Sequence, residues 1–334
     1  MINLKFKYYY NNVMGDFNIK IKSKIIIFSL IICILLSFGA VGAADGDVDN
    51  QVISTSDSSV SANNTFMNSA DYSSESIDSE LGSGSDEVLG DEKTVNVFTF
   101  DGLNKTVSNP EYGDIIQIHN DLVFTDTLII NRDVVINGNG YTFDGQNAYR
   151  MFNITGGNVV LNNINFVNGF TDGEGGAIIA NTSLSINNSS FTSCSASAGG
   201  GAIKMNGTCV IDNCNFTGNY AGTTGSIENG GGALKAGIYI INNSRFIDNS
   251  AGFGGAIFCN IKYRITNSVF YNSTTRTPTT AGSAIYSGTV IDGFLDNCTF
   301  AGGELSQVNN KLEGYIHTEG GTVNFSNLTL SFTD

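Results

Sequence analysis

Between residues 163 and 330 one phrase recurs seven times: a short apolar run, an asparagine, two residues and a large hydrophobe. It reads Asn163-Ile-Asn-Phe166, Asn188-Ser-Ser-Phe191, Asn213-Cys-Asn-Phe216, Asn243-Ser-Arg-Phe246, Asn267-Ser-Val-Phe270, Asn297-Cys-Thr-Phe300 and Asn327-Leu-Thr-Leu330. Successive asparagines stand 25, 25, 30, 24, 30 and 30 residues apart. A period of this size belongs to stacked supersecondary units, each too small to bury its own apolar face and each completed by its neighbours.

A second marker runs between the asparagines. Gly175-Gly-Ala-Ile178, Gly200-Gly-Ala-Ile203, Gly231-Gly-Ala-Leu234, Gly254-Gly-Ala-Ile257 and Gly282-Ser-Ala-Ile285 each open a short apolar strand. Short strands bounded by glycine and asparagine indicate β structure, and paired two-residue hairpin turns are sparse. The expectation is a single-stranded right-handed parallel β-helix of about eight coils over residues 114–334, an all-β solenoid roughly 40 Å long at about 4.8 Å per coil. Asparagine tolerates the left-handed conformation that a sharp corner needs. In such a coil Asn163, Asn188, Asn213, Asn243, Asn267, Asn297 and Asn327 form an inward amide ladder. Phe166, Phe191, Phe216, Phe246, Phe270 and Phe300 form an inward aromatic column.

The segments outside the repeats read differently. Residues 1–44 have the pattern of a signal peptide: Lys20, Lys22 and Lys24, an apolar stretch from Ile25 to Phe38, then small residues ending at Ala44. An uncleaved membrane anchor is the competing reading, and Met14 offers an alternative start. Residues 45–92 hold 12 acidic residues, 12 serines and no Lys or Arg, the composition of a disordered acidic linker. Residues 93–113 are expected to cap the first coil. Without residues 1–44 the chain carries 30 acidic and 11 basic residues, a balance opposed to nucleic-acid binding. Membrane contact is expected only through the N-terminal segment.

Chemistry-bearing residues are scattered. A glycosidase needs two carboxylates about 5–9.5 Å apart, and Asp172-Gly-Glu174 is the one close acidic pair in the repeats, set in a glycine-rich corner. Asp212 and Asp296 share a repeat position three coils apart. His119 and His317 lie toward opposite ends, so neither a metal site nor a catalytic pair is expected, and no cofactor. The five cysteines after residue 44, Cys194, Cys209, Cys214, Cys259 and Cys298, read as buried thiols rather than a disulfide framework. Trp is absent, which leaves Tyr220, Tyr271, Tyr286 and Tyr315 as possible sugar-stacking platforms. Glycosylation sequons fall on Asn188, Asn297 and Asn327, where an inward ladder role would forbid a glycan.

With these residues in view, the repeats resemble those of polymorphic outer membrane proteins, whose markers are Gly-Gly-Ala-Ile and Phe-x-x-Asn; the latter appears in Phe216-Thr-Gly-Asn219 and Phe246-Ile-Asp-Asn249. Together with the leader and acidic spacer, the chain is similar to adhesin-like surface proteins of methanogenic archaea, which carry such repeats on a pectin-lyase-like β-helix. The resemblance covers roughly residues 114–330. It implies a secreted or cell-surface location and a non-enzymatic adhesive role toward extracellular glycans or surface proteins, with no catalytic residues to transfer. The chain shows no C-terminal barrel, anchor or Ig-like domain, so it reads as a short secreted member or as part of a longer one. The alternative function is an extracellular polysaccharide lyase or glycoside hydrolase on the same scaffold.

Overall fold

The computed structural model describes residues 2–10, 13–21, 93–109, 111–222, 230–276, 282–288, 292–303, 314–318 and 322–331. The chain divides into two units, residues 1–91 and 92–334. In the first, Ile2–Tyr10 and Val13–Ile21 form an antiparallel hairpin, with Ile2 opposite Ile21 and Tyr10 opposite Val13. These strands hold Met14 and Lys20 of the expected leader. Its apolar stretch, and the acidic spacer up to residue 92, lie outside the described residues.

The second unit is a parallel β-helix. A representative coil is built from Val159–Asn162, Asn165–Val167, Phe170–Thr171 and Ile178–Ala180. Each segment pairs in parallel with its equivalent one coil away, as in Val159 beside Leu184, Asn165 beside Ser190, Phe170 beside Ser195 and Ile178 beside Ile203. The first and fourth segments share one large sheet and fuse into continuous strands at Leu234–Asn242 and Ile257–Thr266. The second segments form a nine-stranded sheet and the third a five-stranded one. The described residues therefore form nine rungs, against the eight or so expected, with four segments in a full coil.

The corners follow from backbone chemistry. All seven phrase asparagines sit in the left-handed region, with φ between 50° and 55°, where Asn pays less than most residues. A second corner closes the second segment at Asn168, Ser193, Gly218, Asp248, Asn272 and Gly302, again with positive φ. The Gly-Gly corners have a different cause, the close approach of successive coil backbones.

Period-two alternation then decides what points inward. The six phenylalanines stack along the axis, with successive centroids 4.5, 4.9, 4.9, 4.9 and 4.8 Å apart and rings within 10° of parallel. Below Phe166 the column breaks, and Phe143 meets it edge-on at 82°. Each ring lies at the rung spacing from its neighbours, so burial and offset stacking act together. Truncation in the middle of this column, Phe216→Ala, is expected to cost about 3–5 kcal/mol; guanidinium denaturation of the full chain checks this by a lowered midpoint. Elsewhere large and small residues alternate: the Tyr263 ring extends over Gly293, its register partner on the next coil, where an added Cβ would stand 2.6 Å from the ring.

The N-terminal coil is closed by a strand and a helix. Thr94–Val97 adds to the large sheet beside Ile115–Ile118, and Phe100–Ser108 is an α-helix that Thr99 caps by accepting from the Gly102 amide. The helix is absent from the sequence reading because nine residues hold only Phe100, Leu103 and Val107 as its apolar stripe; Leu103 and Val107 are fully buried. Its C-terminal carbonyls find a partner in Arg132, whose guanidinium donates to Thr106 O at 3.0 Å, Val107 O at 3.4 Å, Tyr112 O at 2.9 Å and Gly113 O at 2.9 Å. This satisfies carbonyls that no helical amide reaches and places a cation at the negative end of the helix. Replacing it in Arg132→Met should cost about 2 kcal/mol locally, seen as faster amide exchange in residues 100–108 with the distant coils unaffected.

Candidate functional site: the outward face of the second sheet

The phrase asparagines do not form the inward ladder expected of them. Their side chains are exposed, because a residue at a left-handed corner directs its side chain away from the coil. Two neighbouring pairs bond directly, Asn213 Nδ2 to Asn188 Oδ1 at 2.7 Å and Asn297 Nδ2 to Asn267 Oδ1 at 2.8 Å. Others turn to the file one residue upstream: Asn267 donates to Asn242 and Asn327 to Asp296. That upstream file is the more continuous one. Asn187 donates to Asn162 and Asn162 to Asn137, each at 2.9 Å, and Asn242 donates to Asp212 at 2.8 Å. These residues end a strand and stand in register from coil to coil, so their amides meet at the rung spacing. Asp212 and Asp296 belong to this file, separated by Asn242 and Thr266. Ser326 and Asn327 donate to Asp296 and hold its carboxyl below the usual range.

The amides that do point inward are those of the Phe-x-x-Asn marker. Asn219 and Asn249 are buried; Asn219 Nδ2 donates to Asn249 Oδ1 at 3.0 Å and to Phe191 O at 2.9 Å, and Asn249 Nδ2 donates to Phe216 O at 2.9 Å. The Asn219 and Asn249 oxygens accept from the Cys194 and Asn219 amides. Both oxygens and both nitrogens of the two side-chain amides are thus engaged, as burial requires. Asn188, Asn297 and Asn327 are solvent-facing, so their corner positions leave room for a glycan.

The other sequence candidates are dispersed. Glu174 of the close acidic pair binds Lys235 Nζ at 2.7 Å, while Arg150 takes the Glu174 and Gly175 carbonyls at 2.7 and 2.9 Å. Lys204 lies between these rungs, paired in register with Lys235. Burial pulls its ammonium below the ordinary value, with Glu174 opposing and Lys235 reinforcing the shift. Glu174 therefore works as a counter-ion to the buried Lys235 and the half-buried Lys204, and Asp172 is exposed. His119 stacks on Phe98 and bonds Asn96 in the N-terminal cap, whereas His317 stacks on Tyr286 near the other end. The described residues contain no group of three His, Cys, Asp or Glu placed to hold a metal. The five thiols are buried and free. Of the tyrosines, Tyr286 and Tyr315 are buried, Tyr220 is half-buried under Arg276, and Tyr271 is 48% exposed.

What the fold assembles is a flat face. On the second sheet the residues two and four places after each phrase asparagine point outward. Asn165, Ser190, Asn215, Arg245, Val269, Thr299 and Thr329 form one file, and Val167, Thr192, Thr217, Ile247, Tyr271, Ala301 and Ser331 the other. Ser190 donates to Asn165 at 2.8 Å along the first file. The sequence pointed to the inward phenylalanines and, of these outward residues, to Tyr271 alone; aligning the repeats on asparagine and reading offsets two and four shows the rest. No protein-family model matches the chain, and no curated protein matches it.

Proposed function

We propose that this chain is a secreted or cell-surface attachment protein, non-enzymatic, whose β-helix engages extracellular glycans or surface proteins along the outward face of its second sheet. The observation that carries the reading is that face: two in-register files, mostly Ser, Thr and Asn, repeated at about 4.8 Å over the rungs. Hydroxyls and amides there are both donors and acceptors, suited to a polymer that repeats its own hydroxyls. Single contacts of this kind are weak, and repetition along a rod supplies avidity without a deep pocket. The acidic balance of the chain favours solubility and mutual repulsion at a surface.

The test is a glycan array probed with the full chain, alongside a turnover assay on the polysaccharides it retains. Retention without product formation supports attachment. Release of shortened or unsaturated oligosaccharides, or failure to bind any glycan or cell surface, overturns it. Fractionation of the source cells with N-terminal sequencing of the mature chain tests export.

A further inference from the structure

The face described above is not uniform. Over two adjacent rungs its small polar residues give way to Arg245 and Ile247, then Val269 and Tyr271. Arg245 is exposed and Tyr271 is 48% exposed, while Ile247 and Val269 are partly covered between them. Among the described residues, neither the Arg245 guanidinium nor the Tyr271 hydroxyl makes a hydrogen bond or ion pair. Both groups are held by the sheet on rigid, adjacent strands, yet committed to nothing.

We propose that this quartet is a subsite for one carboxylated sugar, a uronic-acid residue of a glycan lying on the second sheet; the proposal rests on the glycan-attachment reading above. Tyr271 offers an aromatic face for the apolar face of a pyranose, with Ile247 and Ala301 beside it on neighbouring rungs. Arg245 offers a planar fork matched to a carboxylate, bidentate and charge-assisted. One rung of about 4.8 Å and two residues of about 3.3 Å along the strand separate the two side chains by about 8 Å. That suits a ring stacked on tyrosine with its exocyclic carboxylate turned toward arginine.

Charge complementarity selects this occupant over a neutral sugar. The chain as a whole carries −15, but the carboxylates along the second sheet's outward face are distant: Asp144 lies four rungs from Arg245, and Asp121, which flanks the sheet beside Thr142, lies one rung further. At about 4.8 Å per rung that is well beyond a Debye length of about 8 Å in physiological salt. At the nearby corner the Asp248 carboxylate already accepts from Asn272 Nδ2 at 2.7 Å. That hydrogen bond leaves Asp248 its charge, but Asp248 stands at the corner, off both files; Arg245 is the one charged side chain among the fourteen residues of the two files, and the acidity at the corner favours glycans with isolated carboxylates.

The experiment compares immobilised oligoglucuronate with its neutral glucan counterpart, using the full chain and the variants Arg245→Gln and Tyr271→Ala. Both positions are exposed, so circular dichroism and melting temperature should match the parent. The expected result is about tenfold preference for the uronate. Arg245→Gln should abolish the preference and retain the neutral glucan; Tyr271→Ala should weaken both about tenfold. Raised salt should erode the uronate preference in the parent alone. Uronate binding unchanged in both variants overturns the subsite while leaving glycan attachment standing. Binding of no glycan overturns both. Loss in the variants of an acidic-protein contact, with glycan binding intact, overturns the sugar assignment.

Discussion

Above pH 9 the folded chain is expected to lose stability at up to about 7 kcal/mol per pH unit and to unfold at about pH 10–11, because five buried thiols cannot ionise in place. Burial pushes Cys194 and Cys214 up to about 12 and Cys259 and Cys298 up to about 11 from an ordinary 9.0, and pushes Cys209 up further. Below pH 9 the thiols are neutral in both states and nothing is lost. Above it the unfolded chain releases protons that the folded chain keeps, so each thiol subtracts about 1.4 kcal/mol per pH unit. The loss levels off only as pH passes the folded values. Tyr239 and Tyr263, raised by the same burial, add to it above pH 10.0. Denaturant titrations at stepped pH under reducing conditions measure the slope, and Cys209→Val should lower it by one thiol's share. A midpoint that stays flat up to pH 11 would contradict the buried placement of these residues.

Replacement of Gly232 by alanine is expected to cost at least about 5 kcal/mol, beyond the range of ordinary substitutions. The second glycine of each Gly-Gly corner lies where the backbones of successive coils come closest. A Cβ on Gly232 would overlap the Gly255 carbonyl and stand 2.6 Å from both the amide nitrogen and the carbonyl oxygen of Ser250. Those atoms carry the ladder, with the Gly232 amide donating to Gly254 O and the Ser250 amide to Asn219 O, so relief requires moving a coil. Gly201 and Gly255 meet the same crowding one rung away on either side. In a one-dimensional stack a fault at a central rung uncouples the coils on its two sides. Gly232→Ala should therefore replace one unfolding transition with two, or abolish folding. The nearby Gly237→Ala is a suitable control, since its Cβ would meet only the flexible end of the Ile261 side chain, at 3.0 Å. Equal damage from the two substitutions would refute the argument.

Much of this fold was legible because a solenoid writes its third dimension into its period. Coil length, the corner asparagines and the phenylalanine column all follow from one repeated phrase, since residues one period apart must become neighbours. The helix Phe100–Ser108 was not legible, because its nine residues are ordered by docking on the first coil and by Arg132, a residue 24 places beyond its end. The direction of the asparagine side chains was misjudged for a related reason. Composition cannot distinguish an amide facing out at a left-handed corner from one facing in, and the inward role fell to Asn219 and Asn249.

The sequence alone determined that the chain stacks, at what period, and that the phrase phenylalanines line the core, because periodicity and side-chain alternation are properties of order along the chain. Only the tertiary structure decided which amides bond across coils and which lysines share Glu174. It alone also decided that Arg245 and Tyr271 stand together on one face. Those outcomes depend on register between segments 24 to 61 residues apart, fixed by close packing of backbone against backbone and encoded by no local pattern.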